Sequence, residues 1–109
     1  MKTETAPSYP VSVFIAGDAA SALQACREHC MKAGLCVTVT ATEYVYTGGC
    51  EAGVIVGLIN YPRFPATPDE MDAKALAVAE MLIERLCQHS ATVQSPRNTV
   101  WLSRRPVAA

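Results

Sequence analysis

At 109 residues, half of them hydrophobic, the chain falls in the size range of one domain with one core. A net charge of -1, with no basic block before Arg104-Arg105, argues against nucleic acid as a partner, which calls for a cationic face. The longest apolar run, Val54 to Ile59, falls far short of the ~20 residues of a membrane span, and Met1-Lys2-Thr3-Glu4-Thr5 leads into no apolar signal region, so the expectation is a cytoplasmic protein with no membrane partner.

Residues 1–9 are polar and are expected to be a flexible leader; a single α+β domain is expected over 10–103, and 104–109 as a tail. Val11 to Ala16, dominated by β-branched residues, predicts a strand, and Gly17-Asp18 ends it. Asp18 can cap a helix from about Ala19 to Ala33 by accepting from its first free N–H groups. Leu23, Cys26 and Cys30, with Ala19 and Ala33, are expected on its buried face, and Gly34 suits a left-handed stop. Leu35 to Tyr46 alternates: Leu35, Val37, Val39, Ala41 and Val45 are expected to face the core, and Cys36, Thr38, Thr40, Thr42, Tyr44 and Tyr46 the other side. Thr47 to Gly53 supplies a glycine-rich reversal, and Val54 to Asn60 returns as a third strand, where Gly57 marks a bulge or a close backbone approach.

Tyr61-Pro62-Arg63-Phe64-Pro65 forms an elbow that neither a helix nor a central strand can hold. Thr67-Pro68-Asp69-Glu70 is a capping box with proline at the first helical position, and Met71, Ala75, Val78, Ala79, Leu82, Ile83 and Leu86 continue as an apolar stripe. Ala91 to Gln94 and Thr99 to Leu102 flank a turn at Ser95-Pro96-Arg97-Asn98, so the chain closes on one strand or a small hairpin.

The order β-α-β-β-α-β resembles the ferredoxin-like split βαβ arrangement, an antiparallel sheet with both helices on one face, over residues 11–103. That resemblance implies a fold and brings no functional residues with it. The segments Tyr46-Thr47-Gly48-Gly49 and Leu58-Ile59-Asn60-Tyr61-Pro62-Arg63-Phe64-Pro65 resemble small uncharacterised proteins of phage and prophage genomes, which implies no catalytic residue.

The chemistry-bearing residues form no enzymatic constellation. Cys26 and Cys30 are four apart on one helix, but His29 is expected to point off their face and no second cysteine pair completes a zinc site, so no metal and no cofactor is expected. Five cysteines are odd in number and without paired spacing, as for reduced core thiols. Cys50 lies beside Glu51, which works against an activated thiolate. Gly48-Gly49 joins two strands and so is no phosphate loop.

The expected binding residues are Arg63, Tyr61, Phe64 and Asn60 at the elbow and Tyr44 and Tyr46 on the half-polar strand face. A stiff elbow presents Arg63 at low entropic cost, and a guanidinium grips a carboxylate or phosphate with two hydrogen bonds. The threonine-tyrosine face suits a second copy of itself. These readings lead to a non-catalytic binding protein that self-associates through its sheet and recognises a protein partner. The alternative is a regulatory module binding a small anionic ligand at Tyr61–Phe64.

Overall fold

The computed structural model describes residues 1–105. Seven elements follow in the order β1 (Val11–Ala16), α1 (Ala19–Ala33), β2 (Thr38–Tyr46), β3 (Gly49–Leu58), α2 (Pro68–Arg85), β4 (Ser90–Gln94) and β5 (Thr99–Ser103). The strands form one antiparallel sheet in the order β2-β3-β1-β4-β5. This is the ferredoxin-like arrangement with an added strand, β5, which forms a hairpin with β4. Of the expected tail 104–109, residues 106–109 lie outside the described residues.

One face of the sheet and the two helices enclose the core. Val11, Val13 and Ile15 of β1, Val54, Val56 and Leu58 of β3, and Ala91 and Val93 of β4 are buried there, against Ala75, Val78, Ala79, Leu82 and Ile83 of α2. The α2 signature folds as written: Thr67 Oγ1 accepts from the Glu70 N–H at 3.2 Å, and Glu70 Oε1 accepts from the Thr67 N–H at 3.0 Å. Asp18 caps α1 through the Ser21 N–H at 2.9 Å, and Gly34 closes it at φ +69°.

Three expectations about burial are corrected. On α1 the residues turned inward are Ala22, Ala25 and Cys26, while Leu23 is 49% exposed. Alanine lets the helix approach the sheet closely, and that packing rotates the larger side chain outward. His29 consequently turns partly inward, and its Nε2 is buried without a hydrogen-bond partner. Along β2, Ala41 and Val45 are exposed: Val45 lies where β2 and β3 run on past the end of β1 as a two-stranded arm, and Ala41, still level with Ile15, lies on the outer edge strand. The reversal is also tighter than expected: Tyr46 pairs with Gly49 around Thr47-Gly48, with Gly48 at φ +88°.

The leader is fastened at its end. Tyr9 is buried, its hydroxyl donating to the Asp72 carboxylate at 2.9 and 3.1 Å, and the Pro7 carbonyl accepts from Asn60 Nδ2 at 2.9 Å. No described helix is long and apolar enough to cross a membrane.

Candidate functional site

Among the described residues no helix or strand lies upon the sheet face turned away from the helices. Residues opposite one another on antiparallel strands share a face, so the pairings Thr40–Ile55, Ile55–Phe14, Phe14–Thr92 and Thr92–Trp101 define one row across all five strands. Beside this row, toward Ala16, lies a cavity of about 190 Å³, lined by Phe14, Ala16, Tyr44, Glu51, Ser90 and Thr92 together with Ile15 and Ala91.

Tyr44 forms one wall in an unusual way. It faces Glu51 across the β2–β3 ladder, but its side chain folds back over Gly53 toward β1. The phenol donates to the Val54 carbonyl at 2.6 Å and accepts from the Ile15 N–H at 3.1 Å, tying the two central strands together. Burial raises its pKa, partly opposed by the Ile15 N–H, so the proton stays on the phenol near neutrality. That proton is committed to a backbone carbonyl, leaving the ring rather than the hydroxyl to face a ligand. Only glycine at position 53 permits this: a Cβ there would lie 2.4 Å from Tyr44 Cε2 and 2.5 Å from the Ile15 carbonyl oxygen.

The lining is chemically selective. It offers a carboxylate (Glu51), two aromatic side chains (Phe14, Tyr44) and two hydroxyls (Ser90, Thr92), with no cationic side chain among them. Aromatic faces and a carboxylate together attract an organic cation.

The other cavities carry different chemistry. The elbow encloses about 60 Å³ lined by residues including Leu35, Cys36, Tyr61, Phe64, Met71 and Lys74. A groove of about 250 Å³ beside it, between α1 and β2, is lined by Cys26, Cys30, Cys36, Arg27 and aliphatic residues. Burial pushes the Cys26 thiol up to about 11, with Cys30 adding to it; Cys30 is raised by burial and then by Cys36. Such thiols are poor nucleophiles. A further cavity of about 300 Å³ is lined by Glu80, Glu84 and Arg104 with Ile83 and Leu102, so its charges are mixed. Among the described residues no group of three or more side chains could hold a metal.

The six residues expected to bind do not meet. Tyr44 and Tyr46 lie on β2 opposite the arm end of β3, and the elbow follows the other end of β3. Asn60 is a brace: buried at 8% exposure, it donates to the Pro7 carbonyl and accepts from the Ala66 N–H at 2.9 Å. Tyr61 Oη lies 3.4 Å from the Cys36 sulfur, and a hydrogen bond between the two groups that keeps the proton on the phenol raises the Tyr61 pKa. Phe64 is 75% exposed, and the Arg63 guanidinium lies 5.6 Å from its ring centroid. Tyr46 is 54% exposed, with its ring beside Gly49. Sequence reasoning missed Glu51, Phe14, Ser90 and Thr92. The available signal was register: a two-residue turn at Thr47-Gly48 places Glu51 opposite Tyr44.

No protein-family model matches the chain, and no curated protein sequence is similar to it. Two solved structures share its fold. One is a phage SAM lyase in complex with S-methyl-5′-thioadenosine, with a TM-score of 0.73 and 14% identity over 94% of this chain and 95% of that one. The other is the phage SAM lyase in its apo state, with a TM-score of 0.66 and 14% identity over 92% of each chain. The phage resemblance read from the sequence thus reappears at the level of structure. The expectation of a non-catalytic protein that binds a protein partner or a small anion is overturned by the same finding: the fold this chain shares, nearly end to end, is that of an enzyme.

Proposed function

We propose that the protein is an enzyme that splits S-adenosylmethionine on the open face of its sheet and releases S-methyl-5′-thioadenosine. The observation that carries this reading is the cavity in which Glu51 faces Tyr44 beside Phe14, with no cationic side chain in its lining. S-adenosylmethionine presents two positive centres, a sulfonium and an α-ammonium. The rings of Phe14 and Tyr44 suit the first and the Glu51 carboxylate the second. Lys74 and Arg63 at the elbow and Arg27 in the α1 groove would repel both. The shared fold with a phage SAM lyase supports the same reaction class.

The chemistry asks little of the protein. With its ammonium held by Glu51, the substrate can turn its own carboxylate onto the γ-carbon. A carbon–oxygen bond forms, the carbon–sulfur bond breaks, and sulfur keeps the electron pair as a neutral thioether. The four-carbon fragment leaves as a lactone, and no water, proton or other reagent is consumed. Opposite charges vanish in this step, so an apolar wall favours it over water. Tyr44 fits such a reaction, since its proton is already bound to Val54. Cytoplasmic residence belongs to the same reading, because the five cysteines are free thiols.

The test is chromatographic detection of S-methyl-5′-thioadenosine from purified protein and S-adenosylmethionine. Glu51→Gln removes a charge-assisted hydrogen bond worth about 1.5–3 kcal/mol, so kcat/KM should fall roughly 10- to 150-fold. Arg63→Ala, at the elbow, should leave turnover intact. Folded protein that forms no product, or a Glu51→Gln variant as fast as the parent, would refute the proposal.

A further inference from the structure

Trp101 is the only tryptophan of the chain and is 63% exposed on the open face. A large aromatic side chain left in water on an edge strand has no packing role to explain it. Its position relative to the cavity is fixed by the ladder. Phe14 pairs with Thr92 and Thr92 pairs with Trp101, so the three stand side by side on β1, β4 and β5. Neighbouring strands lie ~4.8 Å apart, which puts Trp101 about 10 Å from Phe14. A ribose bridges a comparable gap between the sulfur on its 5′ carbon and its base. Thr92 occupies the middle of that gap, and Ser90 lies on the same face of β4, so two hydroxyls stand where a ribose would pass.

We propose that Trp101 is the purine platform of this site, stacking the adenine of the substrate while the sulfonium end sits among Phe14, Tyr44 and Glu51. The assignment rests on the reading of the open face given above and names the residue that distinguishes a nucleoside from a bare cation. An indole offers a broad π-face to a heterocycle without needing hydrogen bonds to its edge. Selectivity for a purine then comes from ring overlap, and selectivity for the sulfonium from the cavity two strands away.

The sole tryptophan makes the experiment direct, because all indole fluorescence comes from this position. The full chain is titrated with S-methyl-5′-thioadenosine, with adenosine, and with trimethylsulfonium, a cation that carries no base. The two nucleosides should change the emission saturably, and trimethylsulfonium should not. Trp101→Leu should weaken nucleoside binding, followed by calorimetry, and raise KM, each on the order of tenfold with kcat little changed. Trp101→Tyr keeps a stacking face and should recover most of the affinity.

Emission indifferent to nucleosides at concentrations that inhibit turnover would overturn the platform, whatever the enzyme does. So would a tyrosine variant as weak as the leucine one, or a leucine variant with unchanged affinity. Saturable quenching by nucleosides without product formation would keep the platform and remove the lyase reading instead.

Discussion

Gly53→Ala is the substitution to which this architecture is most sensitive. The new methyl carbon would meet Tyr44 Cε2 at 2.4 Å, the Ile15 carbonyl oxygen at 2.5 Å and Ala16 Cα at 2.9 Å. The tyrosine can swing away, but the other two atoms are backbone of β1, held to β3 by a ladder running from Val11–Leu58 to Ala16–Gly53. Overpacking of this kind costs about 1–3 kcal/mol. Displacing Tyr44 also strips the Ile15 N–H and the Val54 carbonyl of their phenol partner, for a further ~1–3 kcal/mol. Alanine returns roughly 0.5–1 kcal/mol by restricting the unfolded chain. The balance is a loss of about 1–5 kcal/mol, centred on ~3 kcal/mol, a large part of the 5–15 kcal/mol typical of a domain. For a chain of this size that lowers Tm by roughly 5–25 °C. Melting curves of Gly53→Ala, Tyr44→Ala and the double variant separate the contributions: the double variant removes the ring clash and keeps the backbone one. A Gly53→Ala protein melting within two or three degrees (about) of the parent would refute the claim that β1 and β3 are pinned here.

Asn60→Ala leaves the Pro7 carbonyl and the Ala66 N–H without their partner and should cost about 2–4 kcal/mol in a denaturant titration. A change below about 1 kcal/mol would mean that the elbow and the leader are held by something else. Glu70 has its pKa lowered, chiefly by the Thr67 N–H, so its contribution is complete above the unfolded value near 4.5 and disappears as pH falls through the lower folded value. Glu70→Gln should therefore flatten the acid limb of a Tm-against-pH curve and leave its shape above pH 5 (about) unchanged; an identical acid limb would contradict the capping box. Val45 is 80% exposed on the arm beside a 54% exposed Tyr46, and we expect copies of the chain to associate through that arm. Light scattering that gives a lone 11.6 kDa species at micromolar concentration would refute this, and Val45→Asp should produce such a species.

Where several local signals agreed, the sequence was legible. Helix α2 carried a capping box, an N1 proline and an apolar stripe of the right period, and each one pointed to the same element. On α1 the stripe was traced through the larger residues, Leu23 and Cys30, whereas Ala22 and Ala25 make the close contact. Alanine weighs little on any hydrophobic scale, so the face it marks is easily read one position out of turn. Alternation along β2 correctly divided its two faces but could not tell how far the neighbouring strand extends. Val45 looks like Val39 in sequence, and only the length of β1 separates them.

The open-face cavity was hidden for a related reason. Its parts come from four strands, and Glu51 looked like a loop residue as long as the reversal was taken to be seven residues wide. The elbow drew attention because proline and aromatic residues are conspicuous in a sequence, while a carboxylate opposite a tyrosine becomes visible only when register is known.

The place of β1 in the sheet also sets a timetable. It leaves the ribosome before β3 and β4, yet it stands between them at the centre of the ladder. Tyr9 and Pro7, just ahead of it, wait for partners 63 and 53 positions later. The β2–β3 hairpin can close early on local contacts and take up β1 on its free edge, but the other edge of β1 stays open until residue 94 has emerged. During that interval β1 presents one bare edge to the cell, and only β4 covers it.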